Sequence, residues 1–178
     1  MASEGPKSPA SVVNVAGADL DWLSPEEAVS SNNIYANVTF TPFTLGEVSD
    51  YLRATDFGFA IPTGATIDGI VAEFEAQSDV VHNWNSVLIV KGGVSTGTDQ
   101  SDFSALPTTD AYKTFGSSTN LWGTTWTAAD INGTGFGVQA RVTDENDGNG
   151  NTARIDHIRI TVYYTETFKS RLPLLGAG

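Results

Sequence analysis

Cysteine is absent from this chain, so neither a disulfide framework nor a thiolate metal site is available. Histidine occurs only twice, which leaves hydrolase chemistry without its usual parts. No apolar run is long enough to span a bilayer, and the first residues, MASEGPKSPAS, lack the apolar core of a secretion signal. These absences predict a protein that is not an enzyme, needs no cofactor and has no membrane partner.

Basic residues are also scarce. The chain has 9 lysines and arginines against 21 aspartates and glutamates, which gives a formal net charge of −12. A surface of that sign repels the phosphate backbone of DNA or RNA. The composition therefore argues against a nucleic-acid partner.

What the sequence does contain is strand-like alternation between clusters of turn residues. In Ala153–Tyr164, three β-branched residues share one face (Ile158, Ile160, Val162), and three polar residues share the other (His157, Arg159, Thr161). The candidate strands are Ser11–Val15, Ala36–Phe40, Asp50–Ala60, Thr66–Gln77, Val87–Gly92, Lys113–Gly116, Phe136–Thr143 and Ala153–Thr165. About eight strands at this spacing predict an all-β fold, a single jelly-roll-like antiparallel β-sandwich.

The ends of the chain do not continue this pattern. We expect an extended N-terminal arm over residues 1–11, the sandwich over residues 12–165 and an extended C-terminal tail over residues 166–178. Helical signals are short. Ser24 before Pro25 and Thr127 before Ala128 have the form of N-caps, and they predict one or two turns after each.

Three tryptophans are candidates for either packing or binding. Trp122 and Trp126 flank Gly123, where a crossing segment can seal the end of a sandwich, and Trp84 lies near His82. Large rings at such places are more often core or seam residues than binding platforms, and the sequence favours the seam. The alternative is that these rings stack on a glycan.

An acidic loop is the one candidate metal site. Asp144, Asn146 and Asp147 can supply the oxygen ligands that calcium prefers. Counted from Asp144, however, the sixth position holds Asn149 in place of glycine and the twelfth carries no acid, so the loop is not an EF-hand. Because Asn, Asp and Gly are ordinary turn residues, the sequence favours a solvated loop without metal.

Three segments carry a resemblance to a known group of proteins: DFGFAIPTGATIDGI, NLWGTTWTAADINGTGFGVQARV and ARIDHIRITVYY. Together they resemble β-sandwich virion structural proteins of tailed bacteriophages and prophages. The resemblance implies a non-enzymatic structural role, as a capsid decoration (cement) protein or an appendage protein, and a location in the virion after assembly in the host cytoplasm.

The decoration role leads to specific expectations about partners. A jelly roll would dock on the outer capsid surface as a homotrimer, with the major capsid protein or another virion component as its partner. The apolar residues of the C-terminal tail would make that contact: Phe168, Leu172, Leu174 and Leu175. The alternative function is a carbohydrate- or receptor-binding module of a phage tail or fibre, which would use tryptophans or exposed tyrosines. Scattered glycosidase carboxylates are the remaining, least supported possibility.

Overall fold

The structure is a computed structural model, and it describes residues 1–144 and 151–166. These residues form ten strands, one α-helix and one 3-10 helix. The strands are β1 (Ala2–Lys7), β2 (Ser11–Val15), β3 (Ala36–Thr39), β4 (Tyr51–Thr55), β5 (Thr66–Ser78), β6 (His82–Lys91), β7 (Val94–Thr96), β8 (Ala111–Ser117), β9 (Gly137–Asp144) and β10 (Thr152–Thr165). Helix α1 spans Ala128–Asn132, and the 3-10 helix spans Pro25–Ala28.

The strands form two five-stranded antiparallel sheets that face each other across one apolar core. We call β2-β4-β9-β6-β7 the front sheet. The back sheet has the order β1-β10-β5-β8, and β3 pairs with the beginning of β10. The predicted all-β sandwich is therefore confirmed, with ten strands in the described residues where the sequence predicted about eight.

Alternation along the strands places the core as expected. Ile158, Ile160 and Val162 of β10 are buried, whereas Arg159 and Thr161 between them are only partly covered. Aromatic rings fill the space between the sheets: the Trp84 ring lies 5.3 Å from that of Phe74 and 5.3 Å from that of Phe115. Burial of these large rings is a main source of stability, because apolar area removed from water contributes roughly 25 cal/mol per Å².

The N-terminal segment differs from the prediction. Ala2–Lys7 does not extend away from the sandwich as an arm but pairs with β10 as strand β1. Backbone pairing and polar contacts hold it there, since the Lys7 ammonium donates to the Gly58 carbonyl and the Glu4 carboxylate accepts from the Ala60 amide. A polar edge strand lacks the apolar alternation by which strands are found in a sequence.

Gly5 lets this strand lie close to β10. It has a φ of +118°, and a Cβ at this position would come within 2.6 Å of the Ile160 carbonyl oxygen. A side chain would be both strained and in collision with backbone.

Other strand and helix boundaries also differ from those predicted from the sequence. The predicted strand Asp50–Ala60 ends at Thr55, because Asp56 and Gly58 turn into the left-handed region with φ of 60° and 63°. Strand β6 begins five residues before the predicted Val87, at His82. The turn predicted after Ser24 forms as the 3-10 helix, but the Ser24 side chain makes no capping bond, so its predicted role as an N-cap is wrong. Thr127 caps α1 as predicted.

Candidate functional site

The outer surface of the front sheet brings a tyrosine and two arginines together. Strand register aligns Arg53 of β4 with Gln139 of β9, and Ser86 of β6 with Arg141 of β9. Tyr51 lies two residues before Arg53 and therefore points to the same side. We call the outward side chains of these two rows the front face: Val13, Arg53, Gln139 and Leu88 in one row, and Val15, Tyr51, Arg141 and Ser86 in the other.

Tyr51 and Arg141 form the centre of the front face. The Arg141 guanidinium lies over the Tyr51 ring, 4.9 Å from its centroid, and the Tyr51 hydroxyl donates to the Ser86 hydroxyl at 2.9 Å. The first contact is a cation–π interaction, and the second fixes the ring by its far end. With one ring face covered by Arg141, the Tyr51 ring can receive a ligand only on the other face.

Arg53 is held more tightly than Arg141. Its Nε donates to the Gln139 side-chain oxygen at 2.8 Å, and its Nη1 donates to the Gly93 carbonyl at 2.8 Å. Gln139, its neighbour across the strand pair, is itself buried. Arg53 therefore presents a positive charge whose position is set by two neutral partners.

A cavity of about 140 Å³ opens beside this centre. Its lining joins Tyr51 and Arg141 of the front face to the loop that follows β2 and to Asp50. The lining residues are Val15, Ala16, Gly17, Ala18, Asp50, Tyr51 and Arg141. The walls are thus mainly apolar, with charged groups at two places.

The carboxylate of Asp50 is already occupied by donors. Asn14 donates to one oxygen at 2.8 Å, and the backbone amides of Gly17 and Ala18 donate to the other at 2.9 and 2.7 Å. Burial alone would raise the pKa of Asp50, but these hydrogen bonds outweigh burial and lower the pKa below its ordinary value. Asp50 therefore stays charged and shapes the loop of the cavity.

The structure places the three candidate tryptophans away from this face. Trp84 and Trp122 are fully buried, and the Trp122 Nε1 donates to the Ile70 carbonyl at 3.0 Å. A ring buried in this way has no surface on which a sugar can stack. Trp126 is partly buried beside Phe136, with the Lys91 ammonium 5.3 Å from its ring centroid.

The remaining predicted site residues fall largely outside the described residues. Asn146 and Asp147 of the acidic loop, and Phe168, Leu172, Leu174 and Leu175 of the tail, are among them. Asp144 is described and buried at the end of β9. Within residues 1–144 and 151–166, no group of three or more His, Asp or Glu side chains is arranged to hold a metal ion, and no helix is long and apolar enough to cross a membrane.

A second polar cluster covers part of the back sheet. His157 is 8% exposed, and both of its ring nitrogens contact hydroxyls: Nε2 lies 2.8 Å from Ser8, and Nδ1 lies 2.8 Å from Tyr112. Arg159 stacks 3.7 Å from the Tyr112 ring centroid and pairs with Glu73 through two hydrogen bonds. Burial lowers the pKa of His157, so its neutral form is favoured and it ties the segment after β1 to the sheet.

The segment Gly93–Gly97, GVSTG, has the Gly-x-Ser-x-Gly spacing of a nucleophile elbow. In an elbow, the serine lies on a sharp turn from strand to helix. Here Ser95 lies in β7 and pairs with Val90 of the neighbouring antiparallel strand. The spacing therefore does not produce an elbow in this fold.

The residues that line the front cavity were not singled out by sequence reasoning. Alternation correctly places Gln139 and Arg141 on the polar side of one strand. The missing information is which strands are neighbours, because the pairing of β4 with β9 joins residues that lie more than eighty positions apart. The signal available in the sequence was a tyrosine and an arginine at outward positions, YLR in β4.

No protein-family model and no curated protein matches this sequence. Among solved structures, the chain is similar to TmCBM61, determined in complex with β-1,4-galactotriose, with a TM-score of 0.39 and 14% identity over 84% of this chain and 86% of that one. It is also similar to the N-terminal cellulose-binding domain of β-1,4-glucanase C from Cellulomonas fimi, with a TM-score of 0.36 and 12% identity over 94% and 95%. Similarity at this level identifies no function for this chain.

Proposed function

We propose that this chain is a non-enzymatic carbohydrate-binding module that holds one sugar residue in the cavity of the front face. The observation that carries the proposal is the composition of the cavity, an apolar wall interrupted by Tyr51 and Arg141. Binding sites for small organic ligands combine mostly apolar walls with a few fixed polar groups. At about 140 Å³, the cavity is smaller than the roughly 300 Å³ at which sites for drug-sized ligands begin, so it suits a single ring of a longer chain.

The chemistry of a sugar ring matches these walls. A pyranose presents C–H groups on its faces and hydroxyls around its edge. The apolar loop after β2 and the Tyr51 ring can cover the C–H groups, while the Arg141 guanidinium donates to edge oxygens. Arg53 and Gln139, in the adjacent row, lie where a neighbouring sugar of the same chain would continue.

The same surface lacks what glycoside cleavage needs. Glycosidases generally use two carboxyl groups on either side of the scissile bond. Among the lining residues of the cavity, Asp50 is the one carboxylate, and its oxygens are held by Asn14 and two backbone amides. These features support binding without catalysis.

A glycan array, followed by affinity measurements on its strongest ligand, tests the proposal. We expect the parent protein to bind, and Tyr51→Ala to lose most of that binding while it remains folded by circular dichroism. Tyr163→Ala is the matched control, because Tyr163 lies in β10 of the back sheet. A blank array, or equal losses in the two variants, would contradict a glycan site on the front face.

Attachment to a virion surface is a second candidate function, favoured by one loop. Phe43 and Leu45, between β3 and β4, are 91% and 64% exposed. Neighbouring exposed apolar side chains are typical of protein contacts. Together with the sequence resemblance, they support docking on a capsid or an appendage, and the homotrimer and the apolar tail belong to this candidate.

Virion particles assembled with variant protein test this second candidate. The double substitution Phe43→Ser and Leu45→Ser should reduce the number of copies bound per particle without unfolding the sandwich. Removal of residues 168–178 should do the same if the tail contributes. Unchanged occupancy with both variants would contradict virion attachment through these segments.

A further inference from the structure

Acidic partners are unevenly distributed among the basic residues of this protein. In the described part of the chain, five basic side chains form salt bridges with Asp or Glu: Lys7, Lys91, Lys113, Arg154 and Arg159. The two that form none there are Arg53 and Arg141. Both belong to the front face, on adjacent strands. The chain has 21 acidic residues, so two neighbouring arginines that form no salt bridge in its described part need an explanation.

The guanidinium of Arg141 is short of acceptors. Its Nε is buried and has no hydrogen-bond partner among the described residues, and the contact with the Tyr51 ring supplies no acceptor oxygen. A buried donor without an acceptor costs free energy, so buried donors in proteins usually have a hydrogen-bond partner. Because Arg141 lines the cavity, a ligand in the cavity meets this side chain.

Arg53 lies diagonally across from Arg141. Arg53 aligns with Gln139, and Arg141 is two residues further along the same strand. Diagonal neighbours on paired strands are roughly 7–8 Å apart, within the reach of two long side chains on one ligand. The outward positions of the front-face rows contain no Asp or Glu.

The net charge of −12 works against an anionic ligand, but mostly at long range. At about 0.1 M salt, exposed charges more than roughly 10 Å away are largely screened. Two carboxylates lie at or beside the cavity: Asp50, which lines it, is 3% exposed and accepts hydrogen bonds from three donors, and Asp21 shares the Asn14 amide with Asp50. Asp50 keeps its negative charge at the same cavity, so an anionic ligand has to contact the two arginines directly.

We propose that the glycan recognised by the front face is anionic, with a carboxylate or sulfate oxygen that accepts hydrogen bonds from Arg141 and is attracted by Arg53. This inference rests on the proposed glycan-binding function and names the class of sugar that the site takes. Arginine suits both groups, because its planar fork of N–H donors can bind two oxygens of one anion.

Calorimetric titration with three trisaccharides tests the inference: trigalacturonic acid, its fully methyl-esterified form, and a sulfated galactotriose. The ester keeps the backbone of the acid and loses its charge. We expect the acid to bind at least tenfold more tightly than the ester, and its affinity to fall several-fold as salt rises from about 0.05 M to about 0.5 M. Preference for the sulfated sugar over the acid would assign sulfate as the source of the same anionic chemistry.

Variants identify the arginine that is responsible. Arg141→Gln should weaken binding of the acid by roughly tenfold to a hundredfold, as expected for loss of a hydrogen bond to a charged group. Arg154→Gln is the control, because it removes the same charge from a residue paired with Asp79 on the back sheet, and it should change affinity by less than about twofold. Arg53→Gln should have an intermediate effect.

The failures are distinguishable. If the ester binds as tightly as the acid, or if only neutral sugars bind, the anionic preference is wrong and the glycan-binding function stands. Equal losses in Arg141→Gln and Arg154→Gln would also overturn the inference, since they would show a general charge effect. If no saccharide binds at all, the proposed function itself fails.

Discussion

At the scale of single residues, Trp122 ties the two sheets together through its backbone and its ring. Its carbonyl accepts from the Thr98 amide at 2.7 Å, and its indole N–H donates to the Ile70 carbonyl of β5 at 3.0 Å. The residue also has a φ of 59°, in the left-handed region. A fully buried ring with these anchors has no room to move toward a ligand.

Trp122→Ala should therefore lower the free energy of unfolding by about 3–5 kcal/mol, the range for removing a large buried aromatic side chain. Trp126→Ala should cost less, because that ring is only partly buried. Urea denaturation followed by circular dichroism measures both. A near-normal midpoint for Trp122→Ala would show that the ring is not a core residue and would restore it as a candidate for stacking on sugars.

His157 makes stability depend on pH. Burial lowers its pKa, with Arg159 adding to the effect and Glu75 and Asp156 opposing it. The unfolded chain, with the ordinary value of 6.5, then binds a proton more readily than the folded chain. Its contribution is complete above pH 6.5 and is lost as the pH falls below that value toward the lowered native pKa.

The wild-type protein should accordingly lose more stability between about pH 7.5 and about pH 5 than His157→Gln, which cannot take up a proton in that range. Denaturation curves at several pH values for both proteins give the difference, and the carboxylates common to both cancel. Parallel pH profiles would show that this imidazole is not responsible for the dependence.

At the scale of elements, the stability of the short helix α1 depends on its N-cap. Helix α1 is only five residues long, and an isolated helix of this length is unstable in water. The Thr127 hydroxyl accepts from the Asp130 amide, and the Asp130 carboxylate accepts from the Thr127 amide at 2.8 Å. Lys91 pairs with the same carboxylate at 3.0 Å, which connects the helix to β6.

Thr127→Ala should cost about 1 kcal/mol of stability, the usual effect of removing an N-cap side chain. Thr127→Ser retains the hydroxyl and should stay within about 0.5 kcal/mol of the parent. Chemical denaturation of the two variants makes the comparison. Equal losses in both would indicate that the methyl group, rather than the cap, is what the fold needs.

How far the sequence predicts this fold depends on the element. Strands with strong alternation, such as β5 and β10, were predicted with correct faces because burial on one side selects apolar residues at every second position. Strands β1 and β7 were missed, since an edge strand can be held by backbone hydrogen bonds and polar contacts alone. The front cavity escaped prediction because Asp50 and Arg141 come together only through strand pairing.

At the scale of the whole molecule, the distribution of charge sets the front face apart. Elsewhere in the described residues, basic side chains are neutralised by acidic partners, as Arg159 is by Glu73 and Lys113 by Asp102. The front face keeps two arginines without such partners beside a small, mostly apolar cavity. Among the described residues, this is the surface that the proposed anionic ligand is expected to contact.

Amide NMR spectra recorded during titration with the strongest ligand from the glycan array test the central claim most directly. The account predicts that the shifted resonances cluster at Tyr51, at Arg141 and in residues 15–18, at the end of β2 and in the loop after it, and that those of β8 and β10 in the back sheet stay in place. Shifts centred on Tyr112 and Arg159 of the back sheet would contradict it.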